Sequence, residues 1–199
     1  MVKALKRYGI VLFILSLGCV ISGYAKEVGH MKKAVMIIAH DGFRDEELLD
    51  TKAVLEKNGV EVQVASTALG LARGKLGAQV SPDMLFNAIK VKDFDAIIFV
   101  GGPGALDYWN NALAHKLLKE SVSLGKVTAG ICSAVVTLAK SGILKEKRAT
   151  VFPGDFQELI DNGAKYTASH VEIDGDIITA DGPYAAKDFG EAIVKALKK

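Results

Sequence analysis

Cysteine is scarce in this 199-residue chain, which has two, Cys19 and Cys132. Cys19 lies in an apolar N-terminal stretch, so the remainder holds one thiol, and no internal disulfide can staple it. Histidines number four, and no Cys/His group has metal-ligand spacing, so neither a metal nor another cofactor is expected. Net charge is also small, +2, and its excess comes from Lys3, Lys6 and Arg7, which face no acid within the first 25 residues. Beyond them 22 basic residues stand against 23 acidic ones, a balance that offers no electrostatic case for nucleic acid or acidic membranes. Gly101-Gly102-Pro103-Gly104 lacks the Lys-Ser/Thr of a phosphate loop and the spacing of a dinucleotide fingerprint, so no nucleotide is expected. Internal repeats and low-complexity tracts are missing as well, and no linker interrupts the stretch from residue 34 onward.

What is present divides into a leader and a domain. Lys3, Lys6 and Arg7 precede an apolar run, Ile10 to Ile21, too short to span a bilayer comfortably. Gly23-Tyr24-Ala25 then places small residues at the −3 and −1 sites of a cleavage after Ala25. Residues 1–25 therefore read as a signal peptide or uncleaved leader, 26–33 as a short linker and 34–199 as the folded domain. The protein is expected to be exported to a periplasmic or secreted location. Contact with the membrane would come only through an uncleaved leader or a lipidated Cys19, whose lipoprotein box is a poor match because Ser16 stands at −3. Translation from Met31 is the alternative, and it implies a cytoplasmic protein.

Within the domain, short apolar runs alternate with amphipathic stretches. Ala34–Ala39, Val60–Ala65, Ala96–Val100 and Val127–Ile131 read as strands, the first and third buried on both faces. Asp45–Asn58, Ala112–Leu124, Ser133–Ser141 and Tyr184–Leu197 read as helices, the first three closed by Gly59, Gly125 and Gly142. Leu69–Val80 reads as a Gly-punctuated hairpin or loop, and Asp174-Gly175-Asp176 as a turn between two further strands. Strands alternating with helices imply a mostly parallel sheet covered on both sides, with its sites at the carboxyl ends of the strands.

One segment there carries chemistry. Gly130-Ile131-Cys132-Ser133-Ala134 has the small-x-nucleophile-x-small form of a nucleophile elbow, whose tight turn needs small residues two positions away on either side. Such a turn sets the thiol at a helix N-terminus, where thiolate is favoured. It also aims the backbone N–H of Ser133 at the reacting centre, and that of Gly102 supplies a second oxyanion donor. A buried, inert cysteine is the competing reading. Among the histidines, His40 and His170 are candidates for the site, His30 belongs to the leader region, and His115 reads as a solvated helix residue.

Three stretches together resemble the ThiJ/PfpI (DJ-one) superfamily: Asp41-Gly42-Phe43-Arg44-Asp45-Glu46-Glu47-Leu48, Val100-Gly101-Gly102-Pro103-Gly104 and Ala129-Gly130-Ile131-Cys132-Ser133-Ala134. Thr179-Ala180-Asp181-Gly182-Pro183 is a weaker echo, and the likeness runs from about Lys33 to the end. The resemblance implies a flavodoxin-like three-layer α/β/α sandwich, usually dimeric, with the thiol at the elbow. It also implies that an acid from the first helix, here Glu47, shares one proton with Cys132, whereas Asp45 and Glu46 read as solvated acids. On that basis the sequence predicts a thiolate at neutral pH beside a protonated Glu47.

Departures from the family pattern are informative. Ser133 and Phe152 occupy the two positions where relatives carry a histidine, and Arg44 stands where many carry an acid. Glutamine amide transfer, performed by distant cousins of the fold, needs a Cys-His-Glu set that the sequence does not place. The resemblance implies action on a small-molecule carbonyl, glyoxalase- or deglycase-like, with Cys132 as nucleophile and Glu47 as proton donor and acceptor. Two alternatives stand beside it: a non-catalytic redox-sensing or chaperone-like stress protein, and a cysteine peptidase, which Ser133 disfavours.

Overall fold

The computed structural model describes residues 31–199. The cleavage site after Ala25, Cys19 and His30 lie outside the described residues. In chain order the elements are β1 (Lys33–Ile37), β2 (Asp41–Phe43), α1 (Asp45–Lys57), β3 (Glu61–Ser66), β4 (Ala72–Gly74), β5 (Gln79–Val80), β6 (Met84–Leu85) and β7 (Ala96–Phe99). They continue with α2 (Leu106–Trp109), α3 (Ala112–Ser123), β8 (Val127–Ile131), α4 (Val135–Lys140), β9 (Arg148–Ala149), α5 (Phe156–Asp161), β10 (Lys165–Tyr166), β11 (Val171–Asp174), β12 (Ile177–Ala180) and α6 (Ala186–Leu197).

Seven strands form the main sheet in the order β11-β12-β8-β7-β1-β3-β6. All its pairings are parallel except the β11–β12 hairpin, which closes at the turn expected at Asp174-Gly175-Asp176. Strand β1, an interior strand between β7 and β3, shows why a continuous apolar run is needed there. Ala34, Met36 and Ile38 enter one core with Leu48, Leu55, Phe189 and Ile193, while Val35 and Ile37 enter the other with Phe99, Leu117 and Val135. Period-two alternation with apolar residues at every position can be satisfied only between two helical layers. The fold is therefore the flavodoxin-like three-layer sandwich that the sequence implied.

Helices α1 and α6 cover the first face. Acids crowd the first turn of α1 and Lys57 its last, which suits the helix dipole. The helices approach closely: a Cβ at Gly190 would come within 2.9 Å of Val54 Cβ. Thr51 Oγ1, fully buried, donates to the Ala186 carbonyl at 3.1 Å and ties the start of α6 to α1.

Several local readings change. The helix expected over Ser133–Ser141 begins only at Val135, because Cys132–Ala134 form a 3-10 turn. The final helix starts at Ala186 rather than Tyr184, again after a 3-10 turn. Leu69–Val80 contains the antiparallel β4–β5 pair, which joins the unexpected strand β2 in a three-stranded sheet. Strands β9 and β10, parallel and joined through α5, have too few residues to show a sequence period.

Candidate active site

Three loops converge at the carboxyl edge of the main sheet, where β1, β7 and β8 lie side by side. The chain leaves β8 through Cys132, whose φ of +58° is left-handed, an unfavourable conformation for a residue with a Cβ. Such strain persists only where the surroundings hold it, and it marks a nucleophile elbow. Part of the restraint is visible: Trp109 Nε1 donates to the Ser133 carbonyl at 2.8 Å.

From the β7 loop come Gly101 and Gly102. A Cβ on Gly101 would stand 2.6 Å from both Cys132 Cβ and Glu47 Oε2, so glycine alone lets the thiol and the carboxyl close around this backbone. Gly102 has φ +104°, and a Cβ there would drive into the backbone of Gly42, Phe43 and Arg44. Its close approach is fastened by the Arg44 N–H, which donates to the Gly101 carbonyl at 2.9 Å.

The third contribution is Glu47, on the first turn of α1 and 0% exposed. Its Oε2 accepts the Gly101 N–H at 2.9 Å, while Oε1 meets no nitrogen or oxygen partner. Glu47 Oε2 and Cys132 Cβ flank the same point at Gly101, close enough for the charge of each group to act on the other. Burial pushes Glu47 up to about 7, against the opposing pull of Cys132 and the Gly101 amide. Burial also pushes the thiol up, and the Glu47 charge adds to this, while the Ser133 and Gly102 amides pull it down.

The thiolate expected at neutral pH thus meets an opposing force that the sequence did not reveal. Cys132 is only 8% exposed, and the short 3-10 turn separates it from α4. Burial therefore favours the neutral form of both groups, while the charge of either one opposes ionisation of the other.

Other expected residues fall in different places. Cys132, Ser133, Gly102 and Glu47 line one cleft of about 540 Å³, together with Arg44, Lys75 and a rim of Phe152, Pro153, Pro183 and Tyr184. His170 reaches the same cleft, its Nδ1 2.8 Å from Asp181 Oδ2. His40 does not line the cleft, and its Nδ1 is enclosed without a partner. His115 is not simply solvated, since its Nε2 meets the Trp109 carbonyl at 2.8 Å. Asp45 is 7% exposed rather than solvated: its carboxylate accepts the Leu76 and Ala78 N–H groups at 2.8 and 2.7 Å and secures the β4–β5 hairpin. Glu46 pairs with Arg44 at 2.7 Å.

Sequence reasoning missed Asp155, whose Oδ2 accepts the Ser133 hydroxyl at 2.6 Å. Its one signal was its place two residues beyond Phe152-Pro153, the segment from which relatives supply an imidazole. Among the described residues, no three His, Cys, Asp or Glu side chains converge as metal ligands.

A cysteine held in left-handed geometry on the carboxyl edge of a doubly covered parallel sheet, against a buried glutamate, makes this a cysteine-elbow α/β protein. Comparison with known proteins gives the family. The family model described as DJ-1/PfpI matches residues 32–196, and the chain belongs to that family. It is 39% identical to an uncharacterized protein of Methanocaldococcus jannaschii, covering 98% of both chains. It is 32% identical to a deglycase of Pyrococcus abyssi, over 82% of this chain and 99% of the other. Identity to a glutathione-independent glyoxalase of Caenorhabditis elegans is 30%, over 84% and 89%. Among solved structures, the ThiJ/PfpI domain protein of Brachyspira murdochii superposes with a TM-score of 0.83 at 34% identity, covering 85% of this chain and 98% of that one.

Proposed function

We propose that this protein is an enzyme that acts on small reactive carbonyls, glyoxalase- or deglycase-like, through Cys132. The observation that carries this reading is the convergence of the strained elbow cysteine and the fully buried Glu47 carboxyl on the same Gly101 backbone, where burial pushes the carboxyl up toward neutral. A carboxyl near 7 is suited to donate and accept protons at physiological pH. In this reading Cys132 Sγ bonds to the carbonyl carbon, the oxygen gathers charge against the Gly102 and Ser133 N–H groups, and Glu47 moves protons on the adduct. A cleft of about 540 Å³ suits a small molecule, and the relatives named deglycase and glyoxalase belong to the same family. Amide cleavage is disfavoured: no imidazole stands next to Cys132 in sequence, and His170, the histidine of the cleft, makes its side-chain hydrogen bond to Asp181 rather than to Cys132.

As parts of the same proposal, the protein works as a homodimer and is exported after removal of residues 1–25. The deciding experiment gives purified protein methylglyoxal, casein and peroxide in parallel, with Cys132→Ser and Glu47→Gln beside the wild type. The expected result is Cys132-dependent loss of methylglyoxal with formation of lactate, and no casein cleavage. Peroxide oxidation of Cys132 without any carbonyl turnover would replace the proposal with the redox-sensing reading.

A further inference from the structure

Glu47 is one carboxyl, and the proposed reaction has two proton problems. The thiol must lose a proton as sulfur attacks, and the adduct must then exchange protons at carbon and oxygen. Glu47 accepts the Gly101 N–H with Oε2, and its Oε1 has no hydrogen-bond partner.

Ser133 is the other polar neighbour of the sulfur. Its Oγ donates to Asp155 Oδ2 at 2.6 Å, the short separation typical of a hydroxyl bound to a carboxylate. A serine hydroxyl has one proton and two lone pairs, so this bond leaves only lone pairs for other neighbours. Cys132 Sγ lies 4.0 Å from the same Oγ, with the thiol as donor. The direction of the Ser133–Asp155 bond is therefore set, and a proton leaving sulfur toward Ser133 would run from Sγ to Oγ to carboxylate.

Asp155 ends the 3-10 turn Pro153–Asp155 that opens α5, and no Lys, Arg or His forms an ion pair with it among the described residues. Its carboxylate is thus free of competing cations. Ser133 itself is pinned from behind by the Trp109 indole on its carbonyl.

We propose that Ser133 and Asp155 form a second proton path out of Cys132, in which Asp155 is the positioning residue of Ser133 and the final acceptor of the thiol proton. The inference deepens the carbonyl reading and rests on it only for the identity of the electrophile. In the step, Sγ and Oγ close from 4.0 Å to hydrogen-bond contact as the substrate binds, the S–H bond breaks and its proton passes to Ser133 Oγ, while the proton of Ser133 passes to Asp155. The sulfur electron pair forms the S–C bond, and the carbonyl π pair becomes an alkoxide held by the Gly102 and Ser133 amides. The proton on Asp155 returns through Ser133 to the alkoxide and gives a neutral hemithioacetal. Thiol plus aldehyde are thereby accounted for without any other reactant, and Glu47 remains available for the carbon-bound proton.

The test uses the full chain with Asp155→Asn, Ser133→Ala, Ser133→Thr, the Asp155→Asn/Ser133→Ala double variant, Glu47→Gln and the Glu47→Gln/Asp155→Asn double variant. The Ser133 backbone amide survives in all of them, so oxyanion binding is not the property removed. One readout is alkylation of Cys132 by iodoacetamide across pH, and the other is turnover of methylglyoxal. Asp155→Asn and Ser133→Ala are each expected to slow alkylation near neutral pH and to lower kcat with KM unchanged. The size expected for a lost general base is about a hundredfold. The Asp155→Asn/Ser133→Ala variant should lose no more than either single one, because the two groups act in series, while Ser133→Thr restores most of the rate. Losses in Glu47→Gln and Asp155→Asn should multiply when combined.

Faster alkylation in Asp155→Asn would overturn the proposal, because Asp155 would then act only as a charge that disfavours thiolate. So would wild-type rates in both Asp155→Asn and Ser133→Ala, or multiplying losses in the double variant that joins them. The two readings separate cleanly. Absence of methylglyoxal turnover in the wild type, with the alkylation pattern intact, ends the carbonyl reading and leaves the proton path standing.

Discussion

Replacing Glu47 with Gln gives the sharpest test of the site's energetics. The side chain is 0% exposed and is pushed by burial from its ordinary 4.5 to about 7. Between these values the folded chain keeps a proton that the unfolded chain has released. Stability therefore falls as pH rises through this window, since the state binding more protons loses ground. At roughly 1.4 kcal/mol per pKa unit, the rise costs the wild type about 3 kcal/mol by pH 8 relative to pH 4.5. Gln has nearly the same shape, accepts the Gly101 N–H with its carbonyl oxygen and does not titrate. Urea unfolding of both proteins at pH 4.5, 6 and 8 reads the effect directly. The stability of Glu47→Gln relative to wild type should improve by about 3 kcal/mol from the lowest to the highest pH, with other titrating groups cancelling in the difference. A difference that stays the same at all three pH values would refute the raised carboxyl and the shared proton with it.

Four further outcomes are expected. Gly101→Ala should abolish Cys132 alkylation and destabilise the fold by about 1–3 kcal/mol, because its Cβ has no room between Cys132 and Glu47; alkylation kinetics and thermal melts check both. Asp45→Ala should leave the Leu76 and Ala78 amides without their acceptor, visible as faster hydrogen exchange at those two positions with the main-sheet amides unchanged. Mass spectrometry of the native protein should find a mature N-terminus after Ala25, and a mature start at Met31 would count against export. Light scattering at micromolar concentration should give twice the chain mass, and a monomer would remove the dimer from the proposal.

The sequence made the sheet legible because its central strands are buried on both faces, and a run such as Ala34–Ile38 has no other stable setting. The elbow was legible for a similar reason, since its turn tolerates only small flanking residues. Glu47 was visible only through family resemblance: three consecutive acids open α1, and nothing local distinguishes the one that turns inward. The structure separates them by what they meet, with Asp45 on hairpin amides, Glu46 on Arg44 and Glu47 beneath Gly101. Asp155 escaped because its relation to Ser133 spans 22 residues and depends on how β9 and α5 fold back over the elbow. The burial that opposes a Cys132 thiolate was not legible, because burial has no local signature, whereas a helix N-terminus does.

The crowding at Gly101 and Gly102 bears on how such a protein can be altered over generations or at the bench. Three chain segments share that point with no volume for a single added carbon, so the reacting floor is closed to gradual substitution. Phe152 and Tyr184 on the rim are 44% and 100% exposed, and changes there touch neither the elbow nor Glu47. A lineage or an engineer seeking a new substrate meets a fixed engine with an interchangeable mouth, and the side chains to vary are those on the rim.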